Sequence, residues 1–157
     1  MNFLTDKGAM AFMSSFEAVF KSVPHLPKGV VNFLVSVAPW LAGLSGILSL
    51  YGGVTNLFFS NRVGMATTLK AITGINPAYF TIAGVIAILT GLLMLMAFTP
   101  LRNRKLVGWM YLFWVTVLSF TQNVIGLLMG VGGLVGTLIG AAIGFYLVFE
   151  LKSAYKK

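Results

Sequence analysis

The stretch GVGGLVGTLIGAAIGFYLVFE, residues 130–150, sets glycine at positions 132, 136, 140 and 144 and carries no charge before Glu150. About 20 residues of helix cross the hydrocarbon core of a bilayer, and this run is long and apolar enough to do so. Glycine costs about 1 kcal/mol relative to alanine inside a helix in water. One at every fourth place therefore asks for compensation by close backbone approach, by flexibility or by an open path. Gly132, Gly136, Gly140 and Gly144 make one ridge, with Gly133, Thr137 and Ala141 beside it; Val135, Leu138, Ile139, Ile143 and Leu147 take the opposite side. Lipid tails are as apolar as leucine, so membrane helices associate through the close contact that small residues permit. The ridge reads as a helix-packing face, a glycine zipper.

The rest of the chain repeats the apolar character. Of 157 residues, 58% are hydrophobic and only 9% charged, and the mean hydropathy is +0.93, far outside the range of soluble domains. The runs predict four spans, at about 38–58, 77–98, 107–129 and 132–150. Pro39 and Trp40 suggest a kink or fresh start of the first span, with the segment before it flat or tilted. Asn76 and Pro77 make a cap and first-turn pair for the second span, which Pro100 is expected to stop. Trp109, Tyr111 and Trp114 are read as an aromatic belt near the start of the third. The fold class expected is an all-α integral membrane bundle of four transmembrane helices, residues 28–157, preceded by an N-terminal segment, residues 1–27.

In that segment Phe12, Met13, Phe16, Val19 and Phe20 form the apolar stripe of an amphipathic helix. It could lie in the membrane interface or pack across the end of the bundle. Met65, Leu69 and Ile72 suggest a second, short interfacial helix within residues 60–76. Nine of the eleven basic residues precede the first span, join the second to the third, or end the chain, whereas only Arg62 and Lys70 fall on the other side. The positive-inside rule places both termini in the cytoplasm.

The third span aligns Thr116, Ser119, Gln122 and Asn123, a polar stripe on a greasy helix. Amide side chains cannot face lipid unsatisfied, so the stripe either fixes helix rotation by interhelical hydrogen bonds, lines a polar pocket or path, or meets a partner. The loop between the third and fourth spans is short enough to make them neighbours. The Gly136 and Gly140 level is therefore expected to pack mainly against the chain's own third span, with a self-association face as the alternative.

Missing residues narrow the function further. Pumps, ion-coupled transporters and intramembrane hydrolases need ionisable groups at bilayer depth, but the acids are Asp6, Glu17 and Glu150, none of them mid-span, and cysteine is absent. His25, the only histidine, sits in a PHLP turn as a solvated or hydrogen-bonded residue. No catalytic, cofactor or metal site is expected, and basic residues scattered between spans argue against nucleic acid despite a net charge of +8.

The segments APWLAG (38–43), RKLVGWMYLFW (104–114) and LIGAAIGFYLVFELKSAYKK (138–157) resemble small uncharacterised four-helix membrane proteins of bacteria. The resemblance implies the four-span topology and a bacterial cytoplasmic membrane, and no activity. The expected function is that of a non-enzymatic structural or accessory membrane protein whose partners are the lipid bilayer and a homo-oligomer or larger membrane complex. The alternative is a small channel or carrier for neutral solutes or lipids lined by the polar stripe.

Overall fold

The structure is a computed structural model that describes residues 25–61, 70–72 and 74–155, with Gly8, Ala11, Met13, Ser14 and Thr68. Four helices make up the described bundle: α1 (Lys28–Asn61), α2 (Ala78–Arg102), α3 (Leu106–Leu128) and α4 (Leu134–Lys152). All four are long and apolar enough to cross a membrane. Phe33, Trp40, Leu44, Ile47 and Tyr51 of α1 and Val135, Leu138, Ile139 and Ile143 of α4 are each more than half exposed. Water would not tolerate so large an apolar surface on a lone chain, and lipid does. The chain is an all-α integral membrane bundle.

The fresh start at Pro39 and the stop at Pro100 are corrected. Pro39 lies inside α1, which runs unbroken from Lys28, and Pro100 lies inside the last turn of α2. An internal proline forfeits one backbone hydrogen bond and crowds the carbonyl one turn back. Membrane helices absorb that cost through packing and local adjustment, and Pro39 is buried. Past Pro100, the chain reverses through Asn103 and Arg104, with Lys105 N–H donating to the Pro100 carbonyl at 2.9 Å. Arg104 takes the left-handed conformation at φ 50°, uncommon for a residue with a Cβ. Gly108 then presses on the end of α2, where an added Cβ would lie 2.6 Å from the Leu101 nitrogen. The Asn76 expectation holds, its Oδ1 accepting from Ala78 N–H at 3.0 Å.

Neighbours in sequence are neighbours in space: α1 packs on α2, α2 on α3 and α3 on α4, with a slight contact between α4 and α1. The closest seam is α1–α2. A Cβ on Gly53 would lie 2.8 Å from the Gly84 carbonyl oxygen and one on Gly84 2.9 Å from that of Gly53. Gly46 and Gly91 repeat the reciprocal fit one heptad along, at 3.1 and 2.9 Å. Both pairs hold the two backbones in contact, the use of small residues that membrane packing calls for.

The core gathers at the end of the bundle that holds the start of α1, the α2–α3 turn and the end of α4. Trp109, Phe113, Leu101 and Met110 are fully enclosed there, with Val35, Ala97, Phe145 and Tyr155 in the same cluster. Trp109 is therefore no belt residue. It is 1% exposed, and its Nε1–H donates to the Val148 carbonyl at 2.6 Å. Met13 belongs to this cluster, whereas Ala11 and Ser14 are exposed. That is the docking side of the two readings for the N-terminal helix; the other stripe positions lie outside the described residues. Ile72 is 78% exposed, and Met65 and Leu69 lie outside the described residues.

Candidate functional site

Two clefts among the described residues bring polar groups together. The first was not read from the sequence. At the core end, Glu150 has its side chain 10% exposed, and its two carboxylate oxygens accept separate bonds. Oε1 takes the Leu26 N–H at 2.9 Å and Oε2 lies 3.1 Å from His25 Nδ1. An ionised carboxylate only accepts, so Nδ1 carries the proton of that pair. The carboxylate thus ties the chain before α1 to the end of α4. The signal was available, since topology put the only histidine and the one acid near a span end on the same side of the membrane, but a pairing 125 residues apart has no local pattern.

Because His25 is 75% exposed on its side chain, solvent screens its share of the tie, and such pairs contribute about 0.2–1 kcal/mol. The Leu26 bond is partly buried, and bonds to charged groups contribute about 1.5–3 kcal/mol. Glu150→Ala is therefore expected to lower the thermal stability of the detergent-solubilised protein clearly more than His25→Ala. Equal losses would mean that the ion pair, rather than the backbone bond, holds the two ends.

Beside this tie opens a cleft of about 940 Å³. Lys28, Asn32, Lys152 and Ser153 contribute polar groups, and Leu26, Val31, Leu106 and Phe149 an apolar wall. The Lys152 ammonium lies 5.2 Å from the centroid of the Trp109 ring, a cation–π distance. Tyr155 also lines the cleft; its hydroxyl is buried without a hydrogen-bond partner among the described residues. Burial raises the Tyr155 pKa above its ordinary value, and the positive charge of Arg104 opposes the shift. The phenol is a neutral donor at physiological pH.

The second place is the α3–α4 seam, where the sequence placed its site residues. Thr116, Ser119 and Asn123 face Gly140, Ala141 and Gly144 across a cleft of about 240 Å³ that Met94, Val115 and Phe120 complete. Gln122 lies outside its lining. The polar groups bond within their own helix, Thr116 Oγ1 donating to the Leu112 carbonyl at 2.9 Å and Asn123 Nδ2 to that of Ser119 at 2.8 Å. The expected interhelical bonds from Thr116 and Asn123 are replaced by these.

The expected closure of the glycine ridge on α3 is corrected as well. Apart from the neighbouring backbone of α4 itself, no heavy atom lies within 4 Å of a Cβ position on Gly136 or Gly140, and of the ridge within α4 only Gly144 meets α3, 3.3 Å from Thr116 Cγ2. Gly132 precedes α4 and turns the chain at φ 101°, as Gly130 does at φ 78°. Glycine enters this left-handed region without the steric cost that a Cβ brings. Aromatic bulk explains the gap above Gly144. Phe113 and Phe120 of α3 meet Phe145 at 6.1 and 6.3 Å between ring centroids, and Phe113 meets Phe149 at 5.8 Å. That layer sets the spacing of the two helices, and α4 buries no residue before Phe145.

Among the described residues no three His, Asp or Glu side chains come together. Comparison with protein-family models, with curated proteins and with solved structures returns no match.

Proposed function

We propose that the chain is a non-enzymatic accessory protein of a bacterial cytoplasmic membrane, both termini inside, which assembles through the open α3–α4 seam with a second copy of itself. The observation that supports this most is the bare backbone at Gly136 and Gly140, with no atom beyond the neighbouring backbone of α4 within 4 Å of either Cβ position, opposite a polar stripe whose Asn123 is exposed. An amide facing lipid is unfavourable, and small residues admit a helix to van der Waals contact. A helix laid in the seam answers both, since it covers Asn123 and fills the groove. The reading as a solute path loses Gln122, and the wall facing the stripe carries no polar side chain.

Gly140→Leu tests the proposal. In the lone chain the leucine meets open space, so thermal stability should stay within about 0.5 kcal/mol of the parent or rise through better helix propensity. The oligomer seen by cross-linking in membranes and by mass in mild detergent should be lost, leaving a folded monomer. An unchanged oligomer distribution would overturn the proposal.

A further inference from the structure

We propose that the cleft between the start of α1 and the end of α4 binds the phosphate headgroup of an anionic phospholipid drawn from the surrounding bilayer. Depth is the first argument. The apolar spans begin at Lys28 and end at Lys152, so a cleft lined by both residues opens at the level where headgroups meet hydrocarbon. Charge is the second. Lys28 and Lys152 line it, Arg104 acts on Tyr155 from beside it, and the one acid among its described lining residues, Glu150, already accepts the His25 and Leu26 bonds. Among the described residues, a phosphate oxygen placed there meets the ammonium groups of Lys28 and Lys152 and no uncommitted carboxylate. Basic pockets on the cytoplasmic side of membrane helices bind such headgroups by this chemistry.

Shape and an orphaned donor complete the case. Leu26, Val31, Leu106 and Phe149 give the cleft a greasy wall along which acyl chains lie while the headgroup meets the lysines. Its volume of about 940 Å³ is far more than a bare phosphate needs and falls within the usual range of small-molecule sites. The Tyr155 hydroxyl, on a residue 5% exposed, has no hydrogen-bond partner among the described residues. Buried donors are almost always paired, and a phosphate oxygen would pair this one.

The test uses the full chain in a neutral detergent, titrated with short-chain phosphatidylglycerol, with phosphatidylcholine of the same chain length and with inorganic phosphate. Bound lipid is read by native mass spectrometry, and the thermal midpoint is followed in parallel. Phosphatidylglycerol should bind about tenfold more tightly than phosphatidylcholine and raise the midpoint, with Lys28→Gln and Lys152→Gln together removing that preference. Tyr155→Phe should weaken binding several-fold, and Lys70→Gln, in the connection at the opposite end of the bundle, should leave it unchanged. Lys28→Gln alone keeps the test sound should loss of the Lys152–Trp109 contact unsettle the fold, because Lys28 is exposed at a helix start. Equal binding of the two lipids, parental affinity in Lys28→Gln, or saturation of the site by inorganic phosphate in place of lipid would each overturn the proposal.

Discussion

Replacing Trp109 by alanine should cost about 3–5 kcal/mol, as large-to-small changes of enclosed tryptophans do, and more than any other single truncation in the bundle. The indole is 1% exposed and packs between Phe113 and Phe149 at centroid distances of 5.9 and 6.0 Å. It also lies beneath the Lys152 ammonium and donates to the Val148 carbonyl. Alanine removes the filler of the α3–α4 contact at the level of Phe113 and Phe149. Trp109→Phe separates the causes, since it keeps an aromatic ring but deletes the N–H donor, and a neutral hydrogen bond contributes about 0.5–1.5 kcal/mol. Unfolding followed by circular dichroism at fixed detergent concentration reads both. If the alanine variant were as stable as the phenylalanine one, the aromatic layer would not be what holds α4.

The second large effect is expected at Gly53. A Cβ there would sit 2.7 Å from Ile88 Cγ1 and 2.8 Å from the Gly84 carbonyl oxygen. Ile88 can rotate away, but the carbonyl belongs to the backbone of α2 and can yield only if the helices separate. Overpacking costs about 1–3 kcal/mol, occasionally more, and Gly53→Leu should fall at the top of that range because separation also loosens the Gly46–Gly91 contact. Gly53→Ala combined with Gly84→Ala should cost less than the sum of the single changes, since one displacement accommodates both and neighbouring sites couple. The same measurement on Gly140→Leu gives the contrast, and a loss there as large as at Gly53 would mean that the α3–α4 seam closes as tightly as α1–α2.

These substitutions divide what could be read from residues alone from what could not. The four spans were legible because length and hydropathy carry them, and the Asn76 cap because a side-chain acceptor two residues before a helical N–H is a local pattern. Small residues are a packing device in this bundle, but the pairs that pack closely are Gly53 with Gly84 and Gly46 with Gly91 of α1 and α2. What failed was the assignment of faces. In a soluble helix the polar side marks the outside, but in a bilayer the outside and the core are equally apolar, so nothing in α4 distinguishes a ridge that meets α3 from one that does not. Trp109 failed for the same reason, since an indole near a span end serves a belt or a core equally well. The Phe113, Phe120, Phe145 and Phe149 layer that decides the α3–α4 spacing reads in sequence as ordinary apolar residues. Glu150 was noticed only as an acid outside the bilayer, and its tie to Leu26 depends on how two distant chain segments converge.

The unequal lengths of the four spans bear on how the molecule sits among lipids. The apolar stretch of α1 is 31 residues and α4 is 19 residues, about 46 and 28 Å at the helical rise of 1.5 Å per residue. One flank of the bundle is therefore taller than a hydrocarbon core of about 30 Å, while the other barely matches it. Lipid must stretch or α1 must tilt on the first flank, and neither is needed on the second. Mismatch of this kind costs a fraction of a kcal/mol per ångström and sorts proteins between membranes of different thickness. A thicker membrane relieves the strain around α1 while drawing the polar ends of α4 into hydrocarbon, so bilayer thickness itself becomes a variable that sets which flank is better covered by another protein than by lipid.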